Sequence, residues 1–155
     1  MINKIFLMLF LSYCFPIFSI IYADIDVIVN IQTSIENLSI HDVKSVYLGK
    51  TRTFPNGQSA IPSINEEKTI KDAFLNTVLD KTSKQFDNYW CVRQFTGKGT
   101  SPPSLQDDEG VKKWLEANPN GIGFIDSDSL HKEDKKIRSV LKIKYKNSET
   151  SNESK

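Results

Sequence analysis

The stretch AIPSINEEKTIKDAF at residues 60–74 holds the residue types best suited to chemistry in this chain. An apolar, strand-like run turns there, without a long loop, into an amphipathic helix, and free amides at a helix N-terminus bind anions. Glu66 and Glu67 work against this, because each like charge within about 4–6 Å opposes a second anion by on the order of 1 kcal/mol in partly screened surroundings. Ser63, Asn65 and Glu66 are available as caps, so the helix end is expected to be satisfied by its own side chains.

Other motifs each lack a requirement. LGKT at 48–51 and TGKGT at 96–100 look like phosphate loops, but that motif follows a strand and carries Gly five residues before its Gly-Lys, where Lys44 and Val92 stand here. Acid pairs occur at Asp24/Asp26, Glu66/Glu67, Asp107/Asp108 and Asp126/Asp128. A helix-loop-helix calcium loop also needs a glycine and a distant Glu, and IDSDSLHKE has no glycine, so no metal and no cofactor is expected. His41 and His131 fall in a helix first turn and a polar loop, without a Ser or Cys nucleophile context, which argues against a catalytic triad and an enzyme. Arg93 and Lys98 near Phe95 make a small basic aromatic pair. Cys91, between Trp90 and Val92, reads as a small buried thiol rather than a reactive one.

The elements that must position these groups follow an N-terminal apolar segment. Residues 1–23 place Lys4 ahead of an almost unbroken apolar stretch ending at Ala23, which reads as a secretory signal peptide. Cleavage after Ala23 leaves 132 of the 155 residues, with 19 basic and 19 acidic side chains. A chain this close to neutral has no general electrostatic pull toward nucleic acid or anionic lipid, and no membrane span is expected in the mature part. Its length suits one domain with one core. Cys14 leaves with the signal, so Cys91 has no internal disulfide partner.

DIDVIVNI opens the mature chain with a β-branched run too apolar for a wet face, a strand buried on both sides. SIHDVKSVYLGK is helix one, capped by Ser39 with Asp42 completing a capping box, burying Ile40, Val43 and Tyr47, and stopped by Gly49. Pro55-Asn56-Gly57 is a turn feeding a strand near residues 60–63. Helix two runs from about Glu66 to Leu79 on a face of Ile70, Ala73, Phe74, Thr77 and Val78. Helix three is capped by Ser83 and carries Phe86, Tyr89, Trp90 and Arg93. Helix four begins near Ser104, holds acids in its first turn and buries Val111, Trp114 and Leu115. IGFI after Gly121 is a short central strand. Alternation from Ile137, with Ile137, Ser139 and Leu141 opposite Arg138, Val140 and Lys142, marks a half-exposed last strand. The expected fold is α/β, a three-layer mixed sheet with flanking helices over 24–145, with residues 146–155 a disordered polar tail.

In this order, VIVN, LSIHDVKSVYLGKTRTFPNG, IKDAF, YW, FTGKG and NPNGIGFI resemble the phosphate-type substrate-binding proteins of ABC transporters, and in particular one lobe of the type II periplasmic binding fold. Such proteins close two lobes on a ligand, and the length here accommodates one. The resemblance implies an exported, periplasmic or secreted single-lobe module. Its ligand would be phosphate or another small oxyanion, held through Lys68, Thr69 and the backbone near Asn30 and Gly121. An ABC permease or an envelope protein would be the partner. The family usually places Ser-Gly-Thr at this helix start, with an Arg a few residues earlier. Here those positions read Lys68-Thr69-Ile70, with Ile64 in the place of the Arg. The alternative is a ligand-free interaction or scaffold protein of the cell envelope that uses the former cleft face.

Overall fold

The computed structural model describes residues 22–146. The expected signal peptide, apart from Tyr22 and Ala23, and the polar tail beyond Lys146 lie outside the described residues. Strand β1 (Tyr22–Asn30) is followed by α1 (Ile40–Tyr47), the short strands β2 (Ile61–Pro62) and β3 (Ile64–Asn65), then α2 (Lys68–Leu79) and α3 (Ser83–Phe95). Next come β4 (Ser104–Leu105), α4 (Asp108–Ala117), β5 (Gly121–Asp126), one turn of 3-10 helix over Ser127–Ser129, and β6 (Ile137–Lys146).

The main sheet has the order β2-β5-β1-β6. Strand β1 is antiparallel to both β5 and β6, while β2 is parallel to β5. Strands β3 and β4 form a separate parallel pair. The apolar run of β1 lies inside the sheet, and its side chains alternate between two cores. Ile25, Val27 and Val29 join α1, α2 and α3 on one face, whereas Ile28 joins Val111, Leu115, Ile125 and Ile137 on the other, under α4. That gives the three layers expected from a strand buried on both sides, although Asp26 and Asn30 share the Ile28 face and are buried there.

Aromatic contacts lock the larger core. Phe74 of α2 stacks on Phe124 of β5 with ring centroids 3.8 Å apart, and Tyr47 of α1 meets Phe74 edge-on at 4.8 Å. The Tyr47 hydroxyl donates to the carbonyls of Ser63 at 3.1 Å and Ile122 at 3.4 Å. Burial pushes its phenol well above the ordinary tyrosine value. One side chain therefore ties α1 to both the β2–β3 junction and β5.

Several local expectations are corrected. The α1 capping box of Ser39 and Asp42 is present, but Ile40 is exposed and Val46 takes the inner position. Thr77 of α2 is exposed, and Leu75 and Leu79 are buried instead. The cap of α3 is Thr82, in a capping box with Gln85, rather than Ser83. Ser104 lies in β4, and α4 starts one element later behind the Asp107 cap. Cys91 is exposed, because the inward stripe of α3 is Phe86 and Trp90, and Cys91 stands about 100° further round the helix. In β6 the simple alternation fails at a bulge. Leu141 pairs with Val27 and Ser139 with Ile28, so Val140 is the extra residue, and it is buried. Its carbonyl accepts the Leu38 N–H at 2.9 Å.

Candidate functional site

The start of α2 is built from the β3 end. Asn65 is buried; its Oδ1 accepts the Glu67 N–H at 3.0 Å, while Nδ2 donates to Asp108 Oδ1 at 2.6 Å and to the Phe124 carbonyl at 3.3 Å. This Asx-type turn sets Glu67 as N-cap. The Glu67 carboxylate then accepts the N–H of Thr69 at Oε1, 3.2 Å, and that of Ile70 at Oε2, 2.8 Å. The two amides that an oxyanion would seek are filled by both oxygens of one internal carboxylate. The expected self-satisfaction of this end holds, but its agent is Glu67. Ser63 is buried with its hydroxyl on the Ile122 carbonyl.

Glu66 turns away from the helix end. It accepts from Lys71 Nζ at 2.6 Å and from the Ser104 hydroxyl at 2.6 Å, bracing α2 and β4. Burial opposes its charge, but the hydrogen bonds from Lys71 and Ser104, with the Lys71 charge, outweigh it and hold the carboxyl below the ordinary glutamate value.

Beside the cap lies a hollow of about 350 Å³ lined by Glu67, Thr69, Ile70, Asp108, Asp126, Ser129 and Tyr145. Its three carboxylates all have structural partners. Asp108 Oδ2 accepts the Asp126 N–H at 3.3 Å, and Asp126 Oδ1 accepts the Asp128 N–H at 2.8 Å, starting the 3-10 turn. A wall of this sign repels an entering anion. Among the described residues no group of three or more His, Cys, Asp or Glu side chains is arranged to hold a metal ion.

The four sequence-expected site residues do not form one site. Thr69 lines the hollow, Lys68 is exposed beside it, and both belong to the end of the sheet where β5 finishes at Asp126. Asn30 and Gly121 lie at the other end, where Val29 pairs with Ile122. The five steps of β5 separate the two ends by about 16 Å at the usual rise of about 3.3 Å per residue. Asn30 is only 2% exposed and fully engaged: Nδ2 donates to the Leu115 carbonyl at 2.7 Å and Oδ1 accepts the Gln32 N–H at 2.9 Å. Gly121 is a packing position, since a Cβ there would meet Leu115 Cδ2 at 2.7 Å and Trp114 Cζ3 at 2.8 Å. Both residues anchor α4 to the sheet.

No protein-family model matches the sequence, and no curated protein matches it significantly. Solved structures do match. An ABC-type phosphate transport receptor from Vibrio cholerae superposes with a TM-score of 0.58 at 15% identity, over 79% of this chain and 47% of the receptor. The fold is that of about half of a phosphate-type substrate-binding protein. A Clostridium perfringens protein assigned as a phosphate ABC transporter substrate-binding protein, with phosphate bound, gives 0.55 at 16% identity, over 86% of this chain and 59% of that one. PstS from Borrelia burgdorferi gives 0.52 at 10% identity, over 68% and 41% respectively. The chain thus spans about half the length of these substrate-binding proteins. Among the described residues no helix is long and apolar enough to cross a membrane.

Proposed function

We propose that this chain is an exported, non-enzymatic binding module on a substrate-binding-protein fold, and that Glu67 closes its oxyanion seat at the start of α2. The observation that carries the reading is the double hydrogen bond from the Thr69 and Ile70 amides to the Glu67 carboxylate. A phosphate in that seat would need the same two donors. It would have to displace a tethered competitor, present at an effective concentration on the order of millimolar or above, beside the further charges of Asp108 and Asp126. Phosphate is the ligand named for the structural neighbours, and here the ligand is a small anion taken outside the closed seat. Lys68 and Thr69 meet an anion at this end only once Glu67 is removed.

Calorimetry tests the reading. Millimolar phosphate should give no heat of binding with the unaltered chain, and Glu67→Gly, which frees the two amides, should give a saturable titration. A Glu67→Gly titration as flat as that of the unaltered chain would overturn the closed seat.

A further inference from the structure

A second hollow, of about 370 Å³, opens between the end of α1, strand β2 and the end of α3. Both helices that border it finish in the same way. Gly49 and Gly97 take positive φ, +61° and +69°. Their N–H groups, with those of Lys50 and Lys98, bond back to the last helical carbonyls, from Gly49 to Val46, Lys50 to Ser45, Gly97 to Gln94 and Lys98 to Arg93. These are Schellman endings, and they bring two basic residues of the following loops, Arg52 and Lys98, to the rim of one cleft. Trp90 forms a wall wedged between two glycines: a Cβ on Gly49 would meet its Cη2 at 2.8 Å, and one on Gly99 its Cζ3 at 3.7 Å.

The charge in this cleft has one sign. Arg52, Arg93 and Lys98 line it, and no aspartate or glutamate does. Among the described residues none of the three makes an ion pair. Arg93 donates from Nη2 to the carbonyls of Gly49 and Lys98, each at 3.0 Å. Its positive charge thus sits beside the negative ends of α1 and α3, which would otherwise repel an anion. The guanidinium carbon lies 5.5 Å from the Trp90 ring centre. Two donors remain buried without an acceptor, Trp90 Nε1 and Arg93 Nε. Native proteins rarely leave such groups unpaired. The rest of the lining mixes apolar side chains, Val46, Ala60, Ile61 and Pro102 among them, with the hydroxyls of Thr51, Ser59, Thr100 and Ser101, and Ile61 is exposed.

We propose that this cleft binds a small organic anion, an oxyanion carried on an apolar or aromatic body, with Arg52 and Lys98 taking the charge and Trp90 the body. A volume of this size suits such a ligand, with the cations selecting its charge and Trp90 and the apolar part of the lining its body. The inference deepens the binding-module reading and rests on it only for the premise that a small anion is the ligand.

The test is a set of ¹H–¹⁵N titrations of the full chain, which has two tryptophan indoles, assigned with Trp114→Phe. Phenyl phosphate and benzoate should shift the Trp90 indole saturably and leave Trp114 in place. Inorganic phosphate, lacking the apolar body, should leave the Trp90 indole in place up to millimolar concentration, and neutral benzyl alcohol should do nothing. Arg52→Gln and Lys98→Gln remove exposed, unpaired side chains, so the spectrum should stay folded while affinity falls about tenfold for each. A Trp90 indole unmoved by both organic anions, an equal response to benzyl alcohol, or full affinity in Arg52→Gln would overturn the proposal. The Thr69 and Ile70 amides in the same spectra separate it from the closed-seat reading. If phosphate moves those amides, the closed seat fails; if only the Trp90 response is missing, the cleft fails.

Discussion

Glu67 Oε2 accepts the backbone N–H of Ile70 at 2.8 Å, so the first turn of α2 is closed by a residue of its own sequence. Replacing Glu67 with Ala removes the cap and should lower stability by about 0.5–2 kcal/mol. Chemical denaturation should show this as a lower midpoint at unchanged slope. Added phosphate should restore part of the loss in the variant and none in the parent chain, because only the variant's native state has open amides to bind it.

The second expectation concerns Lys112, whose side chain is 6% exposed. Its ammonium donates to the Ser129 carbonyl at 3.0 Å, lies 3.4 Å from Asp134 and contacts Glu109. Burial opposes its charge, but these carboxylates outweigh it and hold its pKa above the ordinary lysine value. Asp134 is held below its ordinary value of 3.8, first by the His131 N–H and then, against burial, by Lys112. A depressed carboxyl stabilises the fold above its unfolded pKa and loses that contribution as pH falls through the folded one. Asp134→Asn should therefore cost about 1–2 kcal/mol at pH 7, and the gap between variant and parent should close as the pH falls below 3.8. Thermal melts across that range would show it. A gap that is constant with pH would mean the carboxylate charge is not what matters.

Tyr47→Phe keeps the ring that packs on Phe74 and removes the hydroxyl shared by Ser63 and Ile122. A loss of about 1–2 kcal/mol is expected, with amide exchange quickened where β2 meets β5. Unchanged exchange there would show that this hydroxyl does not hold α1 to the sheet.

Gly121→Ala should be destabilised by about 1–3 kcal/mol through overpacking against Leu115 and Trp114. The same variant should bind phenyl phosphate like the parent. A stable protein with altered ligand binding would return Gly121 to the list of ligand contacts.

Much of the architecture was legible because burial leaves a periodic trace. The β-branched Val27-Ile28-Val29 run of β1 implied cover on both faces, the Ser39 and Asp42 spacing implied α1, and the Gly-Ile-Gly-Phe-Ile run after Asn120 implied an inner strand. The bulge at Val140 was hidden, since an extra residue breaks the alternation that would reveal it. The cap at Glu67 was misplaced to its neighbours because Glu66, Glu67 and Asn65 are chemically alike, and only the path of the β3 turn selects among them. Arg93 and Lys98 stood out as a basic pair near Phe95, but Phe95 is 94% exposed and takes no part in the cleft. The partner they needed, Arg52, is 41 residues before Arg93 and reaches them only because two helices end side by side.

The most direct check on the Glu67 cap is a phosphate titration of the unaltered chain followed at the backbone amides of Thr69 and Ile70. With Glu67 in place, both resonances should stay fixed to millimolar phosphate, and in Glu67→Gly both should move together and saturate. Saturable movement of both in the unaltered chain would contradict the cap and make the start of α2 a working oxyanion seat.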